Sequence, residues 1–411
     1  MSDVVITGMG AVTPHGNDVE STWAGLVAGR SAVAPITSFD HSRLSVHIAA
    51  EVRGVDAEEH LGAKRARRTA RFSLLAIVAA REAAAHAGLD VAADPERVGV
   101  LINSALGGTP ETEENLRLLR EGGPREVSPY YVPSTILNMP ACEVAIDQGI
   151  HGPVSASALA CASGTYALLD ARRLILAGEA DVVLAGGTDA GVSEAMFAGL
   201  SRMGPMSTNN DDPEGASRPF AADRDGFVFG EGAVVFVVES AEHAAARGAT
   251  VHATIAGGAL TSDAFHQSAP DFEGRYAGRA ITQALERTGL RPQDVDYICA
   301  HGTGTRANDL SETKAIHHAF GEHAESIPVS SPKSMVGHLI GAAGALSVLC
   351  CVLGMRDAIL PPTINLDEVD PECPLDHIAN VAREATVTHA VANAFGFGGQ
   401  NCVVVLKAPG A

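Results

Sequence analysis

Apolar residues recur along the chain in two alternating patterns. Short β-branched runs, typical of buried strands, lie at residues 4–7, 98–102, 181–184, 234–238 and 403–406. Alanine-rich stretches with helical periodicity lie at residues 72–87 and 274–288. This alternation predicts an α/β fold in which helices cover sheets.

One order of elements occurs twice. Residues 153–184, beginning PVSASALACASG, and residues 328–360, beginning PVSSPKSMVGHLIG, each contain a strand, a loop, an apolar helix and a second strand. Similar segments, VLINSALGG and YICAHGTGT, precede the two copies. The duplication predicts two pseudo-symmetric halves, residues 1–250 and 251–411, that bring Cys161, His301 and His338 together.

Composition and charge exclude several classes of protein. A net charge of -20 over 411 residues disfavours binding to nucleic acid or to an anionic membrane surface. The seven cysteines have neither disulfide-framework nor zinc-site spacing, so we expect reduced thiols and no metal. The longest apolar run, residues 341–355, is too short and glycine-rich to span a bilayer, and no signal segment precedes VVITGMG. We therefore expect a cytoplasmic protein.

Cys161 is the candidate nucleophile. It lies in ALACASG, where small residues permit a tight turn before a predicted helix that ends near residue 177. A thiol at a helix N-terminus is exposed to the positive end of the helix dipole, which favours the thiolate. The alternative, a small buried apolar side chain, is the expectation for Cys350 and Cys351 in the second apolar helix.

Two histidines lie in glycine-rich loops at equivalent topological places. His301 follows the predicted strand 295–300, and His338 lies in a second glycine-rich loop. Together with Cys161 they form a thiol with two imidazoles, a constellation suited to acyl transfer. Lys333 precedes His338 by five residues, and a buried lysine needs a carboxylate, for which Glu312 is the candidate. An ordinary surface ion pair is the alternative for these two residues.

Six segments carry a family resemblance: VVITGMGAVTPHG, ACASG, NDDPEGASRPFAADRDGFVFGEGA, HGTGTRANDLSE, SSPKSMVGHLIGAAGA and GFGGQN. In this order they resemble the β-ketoacyl-[acyl-carrier-protein] synthase family of the thiolase superfamily. HGTGTRANDLSETKA looks most like the ketosynthase subunit of actinobacterial type II polyketide synthases. The resemblance implies a thiolase-like fold, with two α/β halves in five αβαβα layers.

The resemblance also implies roles for individual residues. Cys161 would carry the acyl chain, and the amides of Cys161 and Phe397 would bind the thioester oxygen. His301 and His338 would bind malonyl thioester and stabilise the enolate formed on decarboxylation, while Lys333 and Glu312 would hold the histidine loops. The implied acyl pocket contains Leu106, Leu200 and Phe397.

The implied partners are an acyl carrier protein, whose phosphopantetheine carries the substrates, and a second condensing-enzyme chain. That chain would be an identical copy or a chain-length-factor homologue, packed around residues 150–190. No metal or redox cofactor is implied. The sequence favours type II polyketide elongation. The same reaction in fatty acid synthesis, as in KAS II enzymes, is the alternative, and a non-catalytic assembly partner is disfavoured because Cys161 and both histidines are present.

One basic segment opposes the overall negative charge. LGAKRARRTARFS contains Lys64, Arg65, Arg67, Arg68 and Arg71, and a continuous helix would place four of these, all except Arg65, on one face. Basic residues at a helix start oppose the helix dipole, which an anionic partner would compensate. The segment is the predicted docking site for the acidic carrier protein, with an ordinary solvated helix turn as the alternative.

Overall fold

The computed structural model describes residues 3–411. Its strands are β1 Val4–Val12, β2 Ala34–Pro35, β3 Ile48–Ala49, β4 Val98–Asn103, β5 Val154–Ser155, β6 Val182–Asp189, β7 Gly232–Ser240, β8 Ala253–Ser262, β9 Tyr297–Cys299, β10 Pro328–Ser330, β11 Ile359–Leu360, β12 Asp376–His377, β13 Arg383–Glu384, β14 His389–Gly396 and β15 Gln400–Lys407.

The helices lie between these strands. They are α1 Val19–Val27, α2 Ala57–Leu61, α3 Ala63–Ala66, α4 Arg71–Ala87, α5 Thr109–Gly122, α6 Tyr131–Thr135, α7 Met139–Gln148, α8 Ser163–Leu176, α9 Glu194–Met203, α10 Ala241–Ala246, α11 Arg275–Thr288, α12 Arg306–Phe320, α13 Lys333–Val336 and α14 Ala343–Asp357. Short 3-10 turns at Ala160–Ala162 and Ile340–Ala342 immediately precede α8 and α14.

The hydrogen-bonded strands repeat one topology twice. In the part of the chain described, the largest sheet has the order β12-β10-β9-β14-β15-β8-β1-β7-β6-β4-β5. The order β1-β7-β6-β4-β5 and the order β8-β15-β14-β9-β10 have the same sequence of two antiparallel and two parallel pairings. The two runs meet where β1 pairs with β8. The chain passes between them at residues 247–252, and the predicted division at residue 250 lies in this connection.

Helices cover both faces of each run. The central helices α8 and α14 pack against each other and against strands of both halves, α4 and α7 cover the outer face of the first run, and α11 and α12 cover the second. The predicted α/β fold with helices on sheets is confirmed. Close contact between the two central helices requires glycine, because a Cβ on Gly344 would lie 2.0 Å from Thr165 Oγ1.

The most apolar helix belongs to the core. Of the helices in residues 3–411, one continuous helical stretch, Ile340–Asp357, is long and apolar enough to cross a membrane by length and composition, with a mean hydropathy of 1.5. It is longer than the run expected from the sequence because it also includes Ile340 at its start and Arg356 and Asp357 at its end. Since 83% of it is buried inside the fold, its apolar character is explained by packing between the two halves.

Candidate active site

Cys161 lies in the turn that begins the central helix α8. The preceding residue, Ala160, has a positive φ of 46°, and the same turn precedes α14, where Ile340 has a φ of 51°. A β-branched residue rarely adopts this conformation, so the surrounding packing holds the second turn in a strained state. The duplicated turns place Cys161 and Gly341 at equivalent positions, next to each other at the N-termini of the two central helices.

A cavity of about 690 Å³ leads from this point to the surface. Cys161, His301 and His338 are all buried in its wall, and the exposed residues Met203, Arg306 and Phe397 lie at its mouth. The apolar part of the wall includes Leu106, Met196, Leu200, Phe229 and Ile340. The residues expected to form the acyl pocket, Leu106, Leu200 and Phe397, therefore all line the cavity that contains the thiol.

The three reactive side chains converge. One ligand atom from each of Cys161, His301 and His338 lies within 4.8 Å of the other two, and the two imidazole rings are perpendicular, with centroids 5.5 Å apart. The structure thus brings together the three residues that the duplication predicted would meet.

His338 presents a hydrogen-bond donor to the cavity. The amide of Ile340 donates to His338 Nδ1 over 3.1 Å, so Nδ1 carries a lone pair and the proton of the neutral ring is on Nε2. Nε2 is buried and has no hydrogen-bond partner among residues 3–411. Burial, and secondarily Lys333, holds the pKa of His338 well below its usual range, so the ring is neutral. An Nε2–H group cannot ligate a metal ion, so this arrangement suits a developing oxyanion better than a cation.

His301 is held through its backbone, which leaves its ring free. Its amide donates to Glu312 over 2.8 Å, and its carbonyl accepts from Lys333 Nζ over 2.6 Å. Burial lowers the pKa of His301 well below its usual range, and Lys333 and His338 act in the same direction. A neutral imidazole whose ring nitrogens make no hydrogen bond within the described part of the chain can accept or donate a proton beside Cys161.

Lys333 and Glu312 do not form the direct ion pair expected from the sequence. Within the described residues no such contact exists. Glu312 instead accepts hydrogen bonds from the amides of His301 and Gly302 and from Asn393 Nδ2. The expectation was wrong because a buried lysine can also be satisfied by a carbonyl. Both residues nevertheless bind the His301 loop: Lys333 binds the carbonyl of His301, and Glu312 binds the amides of His301 and Gly302.

The Cys161 thiol is not ionised by its position at the helix start. Burial raises the pKa of Cys161 to about 11, although Lys333 and the amides of Phe397 and Cys161 favour the thiolate. The expectation of a resting thiolate is therefore wrong, because desolvation outweighs the favourable contacts. The same two amides surround Sγ, as expected for groups that would bind the oxygen of a thioester at this atom.

Asp189, which sequence reasoning missed, joins the two halves at the site. Its buried carboxylate accepts hydrogen bonds from Ser104 Oγ at 2.6 Å, from the amides of Ala105 and Leu106, and from the amide of Gly341 at 2.7 Å. It thereby ties the acyl-pocket loop to the loop of His338. A Cβ on Gly341 would lie 2.5 Å from Asp189 Oδ2, so the contact requires glycine there. The signal in the sequence was only an acidic residue ending an apolar strand.

We expect Asp189→Ala to lower the free energy of unfolding by about 3 kcal/mol or more, because it leaves a hydroxyl and three amides without an acceptor. Asp189→Asn, which keeps one acceptor oxygen, should lower the free energy of unfolding by less. Denaturant unfolding measures the change. If the Asp189→Ala protein is as stable as the wild type, the carboxylate does not hold the two loops together.

The basic segment differs from the single helix expected. Helix α3 ends at Ala66 and α4 begins at Arg71, so the basic side chains do not share one helical face. Arg65 is bound by Glu143 and Asp147, and Arg71 is bound by Glu231 over 2.6 Å. These two arginines stabilise the fold and are not free to bind a partner. Lys64, Arg67 and Arg68 remain exposed.

Comparison with known proteins gives consistent matches over the chain. Family models match residues 1–244, as Beta-ketoacyl synthase, N-terminal domain, and residues 252–367, as Beta-ketoacyl synthase, C-terminal domain. A 3-oxoacyl-[acyl-carrier-protein] synthase 2 of Staphylococcus aureus (strain COL) is 45% identical over 405 residues, covering 98% of each chain.

Two solved structures share the fold at lower identity. The ishigamide ketosynthase/chain length factor superposes with a TM-score of 0.92 at 35% identity, covering 100% of both chains. A type II polyketide acyl-carrier protein in complex with its ketosynthase, bound to the hexaketide, gives a TM-score of 0.91 at 32% identity over 99% of both chains. These matches confirm the thiolase-like fold expected from the resemblance.

Proposed function

This chain belongs to the β-ketoacyl synthase family, and from that premise we propose that it joins an acyl chain on Cys161 to malonate by decarboxylative Claisen condensation. It is a β-ketoacyl-acyl-carrier-protein synthase, an acyltransferase. The observation that carries the mechanism is the convergence of a thiol, a neutral imidazole and an Nε2–H donor within 4.8 Å.

In the loading step, Cys161 attacks the acyl thioester of the carrier protein. Since burial keeps the thiol protonated, a base must take its proton, and the free ring of His301 is the neighbouring acceptor. His338 cannot serve, because its Nδ1 is occupied and its Nε2 carries a proton. The proton passes to the departing carrier-protein thiolate, so His301 returns to its neutral form.

In the second step, malonyl thioester loses carbon dioxide and becomes an enolate. His338 Nε2–H donates a hydrogen bond to the enolate oxygen, and the bond is strengthened because Nε2 is buried. The enolate carbon attacks the acyl-Cys161 carbonyl, whose oxygen is bound by the amides of Cys161 and Phe397. Collapse releases β-ketoacyl carrier protein and the Cys161 thiolate, which takes up one proton. No metal or redox cofactor is needed.

The direct test is a reconstituted reaction with acyl carrier protein and malonyl carrier protein. We expect equal amounts of carbon dioxide and a β-ketoacyl product two carbons longer, detected by mass spectrometry. Release of carbon dioxide without a longer product would contradict condensation. No reaction with either substrate would favour a non-catalytic assembly partner.

Two pathways use this reaction, and different observations favour each. The apolar cavity wall and the 45% identity to a 3-oxoacyl-[acyl-carrier-protein] synthase 2 favour the fully reduced acyl chains of fatty acid synthesis. The HGTGTRAND segment and the polyketide ketosynthase structures favour type II polyketide elongation, the interpretation preferred from sequence. We propose reduced acyl chains as the donors, since a poly-β-keto chain would leave its carbonyls without hydrogen-bond partners in this wall. Competition between saturated and β-ketoacyl carrier proteins distinguishes the two.

We also propose that the enzyme is cytoplasmic and acts as a dimer, with itself or with a chain-length-factor homologue. Exposed apolar side chains cluster before and on the edge strand β5: Tyr130, Val132, Ile136, Leu137, Ile146 and Val154. Several exposed apolar side chains on adjoining elements are typical of an interface. Sedimentation of a stable, active monomer would contradict this assembly.

The pH dependence of loading tests the proton transfer to His301. Between about pH 6.5 and about pH 9 we expect the loading rate to stay nearly constant, because both the thiol and the imidazole remain neutral across this range. Rapid-quench measurement of acyl-enzyme formation provides the profile. A tenfold rise in the loading rate for each pH unit would instead show that the attacking species is a thiolate formed by ionisation before the reaction.

We expect the carrier protein to dock on the three basic residues of the segment that remain exposed, Lys64, Arg67 and Arg68. Arg67→Glu with Arg68→Glu should raise the KM for carrier-bound malonate in a salt-dependent way, since rim charges act on association. Turnover of a malonyl pantetheine thioester should not change. The control is Arg279→Glu with Arg287→Glu on α11. Equal losses with both substrates would exclude this segment as the docking site.

A further inference from the structure

One wall of the catalytic cavity is a continuous segment that runs from the active site to the surface. His301 and Thr303 are buried, Thr305 is partly buried, and Arg306 is exposed at the mouth, and all four line the same cavity. A substrate arm that enters at this mouth on the side of this segment passes Arg306 before it reaches Cys161.

Arg306 differs from Arg224, which also lines the cavity, and from Arg218, which lies close to Gly304. Arg224 is buried and bound to Asp370 over 2.6 Å, and Arg218 is bound to Asp223 over 2.9 Å. Arg306 makes no hydrogen bond or ion pair with any residue of the described chain. Asp370 attracts Arg306 electrostatically but is itself paired with Arg224. Of the two arginines in residues 3–411 that line the cavity, Arg306 is therefore the one whose guanidinium is available to a ligand.

The position of Arg306 is unfavourable for the isolated fold. It is the first residue of α12, where a positive charge opposes the helix dipole, and Thr305 already caps the helix by accepting from the Asn308 amide. An anion bound at this point would offset the unfavourable charge. A guanidinium also offers two parallel N–H groups, which match the oxygens of a phosphate.

We propose that Arg306 binds the phosphate at the outer end of the phosphopantetheine arm while the thiol end of the arm lies at Cys161. The proposal rests on the proposed function, which requires such an arm, and adds the group that recognises its charged end. No bond is made or broken in this contact. The contact fixes the outer end of the arm, and through it the position of the thioester at Cys161. Arg306 therefore contributes to the binding of every substrate that a carrier protein delivers.

The test compares two ligands that differ only in the phosphate. Pantetheine and phosphopantetheine are used, without carrier protein, to protect Cys161 of the full chain from alkylation by iodoacetamide, followed by peptide mass mapping. For the wild type we expect phosphopantetheine to give half-protection at a concentration about five- to tenfold below that of pantetheine. Because protection requires no turnover, the result does not depend on whether condensation itself is observed.

Arginine variants show which residue gives the preference for phosphopantetheine over pantetheine. In Arg306→Gln the two ligands should protect at the same concentration, Arg306→Lys should keep part of the difference, and Arg279→Gln, a distant exposed arginine, should keep all of it. An unchanged phosphate preference in Arg306→Gln would overturn the proposal. Equal weakening of both ligands would also overturn it, since the change would lie in the cavity itself.

Discussion

Replacing Cys161 with alanine is expected to abolish formation of the acyl-enzyme, with a loss on the order of 10⁴-fold or more in condensation. The reason is geometric, because only this thiol lies among the two imidazoles and the two amides that the reaction uses. The other buried cysteines, including Cys350 and Cys351, lie in the core away from the cavity wall.

Intact-protein mass spectrometry after mixing with an acyl carrier protein measures this loss directly. The wild type should gain the mass of one acyl group and Cys161→Ala should gain none. Cys142→Ala is the matched control, because Cys142 is only partly buried and lies outside the cavity, so this variant should load normally. An acyl adduct on Cys161→Ala would mean that another residue is the nucleophile.

The duplicated elements explain why much of this site could be predicted from the sequence. Helices expected at residues 72–87 and 274–288 are observed at Arg71–Ala87 and Arg275–Thr288, because alanine-rich periodic segments favour helix both locally and in packing. The repeated strand, turn and helix also indicated that three distant loops would meet. Local pattern and global symmetry therefore agreed for these elements.

Features that depend on long-range contacts could not be predicted. β1 extends to Val12 although it contains Gly8 and Gly10, because helix α4 packs so closely that a Cβ on either would meet a carbonyl oxygen, at 2.3 Å and 1.9 Å. The Asp189 contacts and the separate ion pairs of Arg65 and Arg71 likewise join residues far apart in the chain.

The protonation state of Cys161 was the other feature that the sequence did not predict correctly. The position of Cys161 at a helix start indicated a thiolate, but a sequence does not reveal how completely the folded protein removes water from a thiol. That desolvation raises the pKa of Cys161 to about 11 and changes the mechanistic requirement from a preformed thiolate to proton transfer.

The second large effect is expected for His338→Ala, which should slow release of carbon dioxide from malonyl carrier protein by about 100-fold or more, because a preorganised donor to the enolate oxygen is lost. Acyl loading should change little, since the ring of His338 has no acceptor nitrogen to offer the thiol. His338→Asn, which keeps an N–H donor, should recover part of the decarboxylation rate.

Separate assays of the two half-reactions decide the role of His338. Carbon dioxide release is followed with malonyl carrier protein alone, and loading is followed by the mass of the acyl-enzyme. His377→Ala is the control, because His377 is also a buried histidine but packs against Phe220 outside the cavity. It should cost stability without changing the ratio of the two rates. If His338→Ala instead blocks loading while decarboxylation persists, then the ring accepts the thiol proton, and the tautomer assigned from the Ile340 amide is wrong.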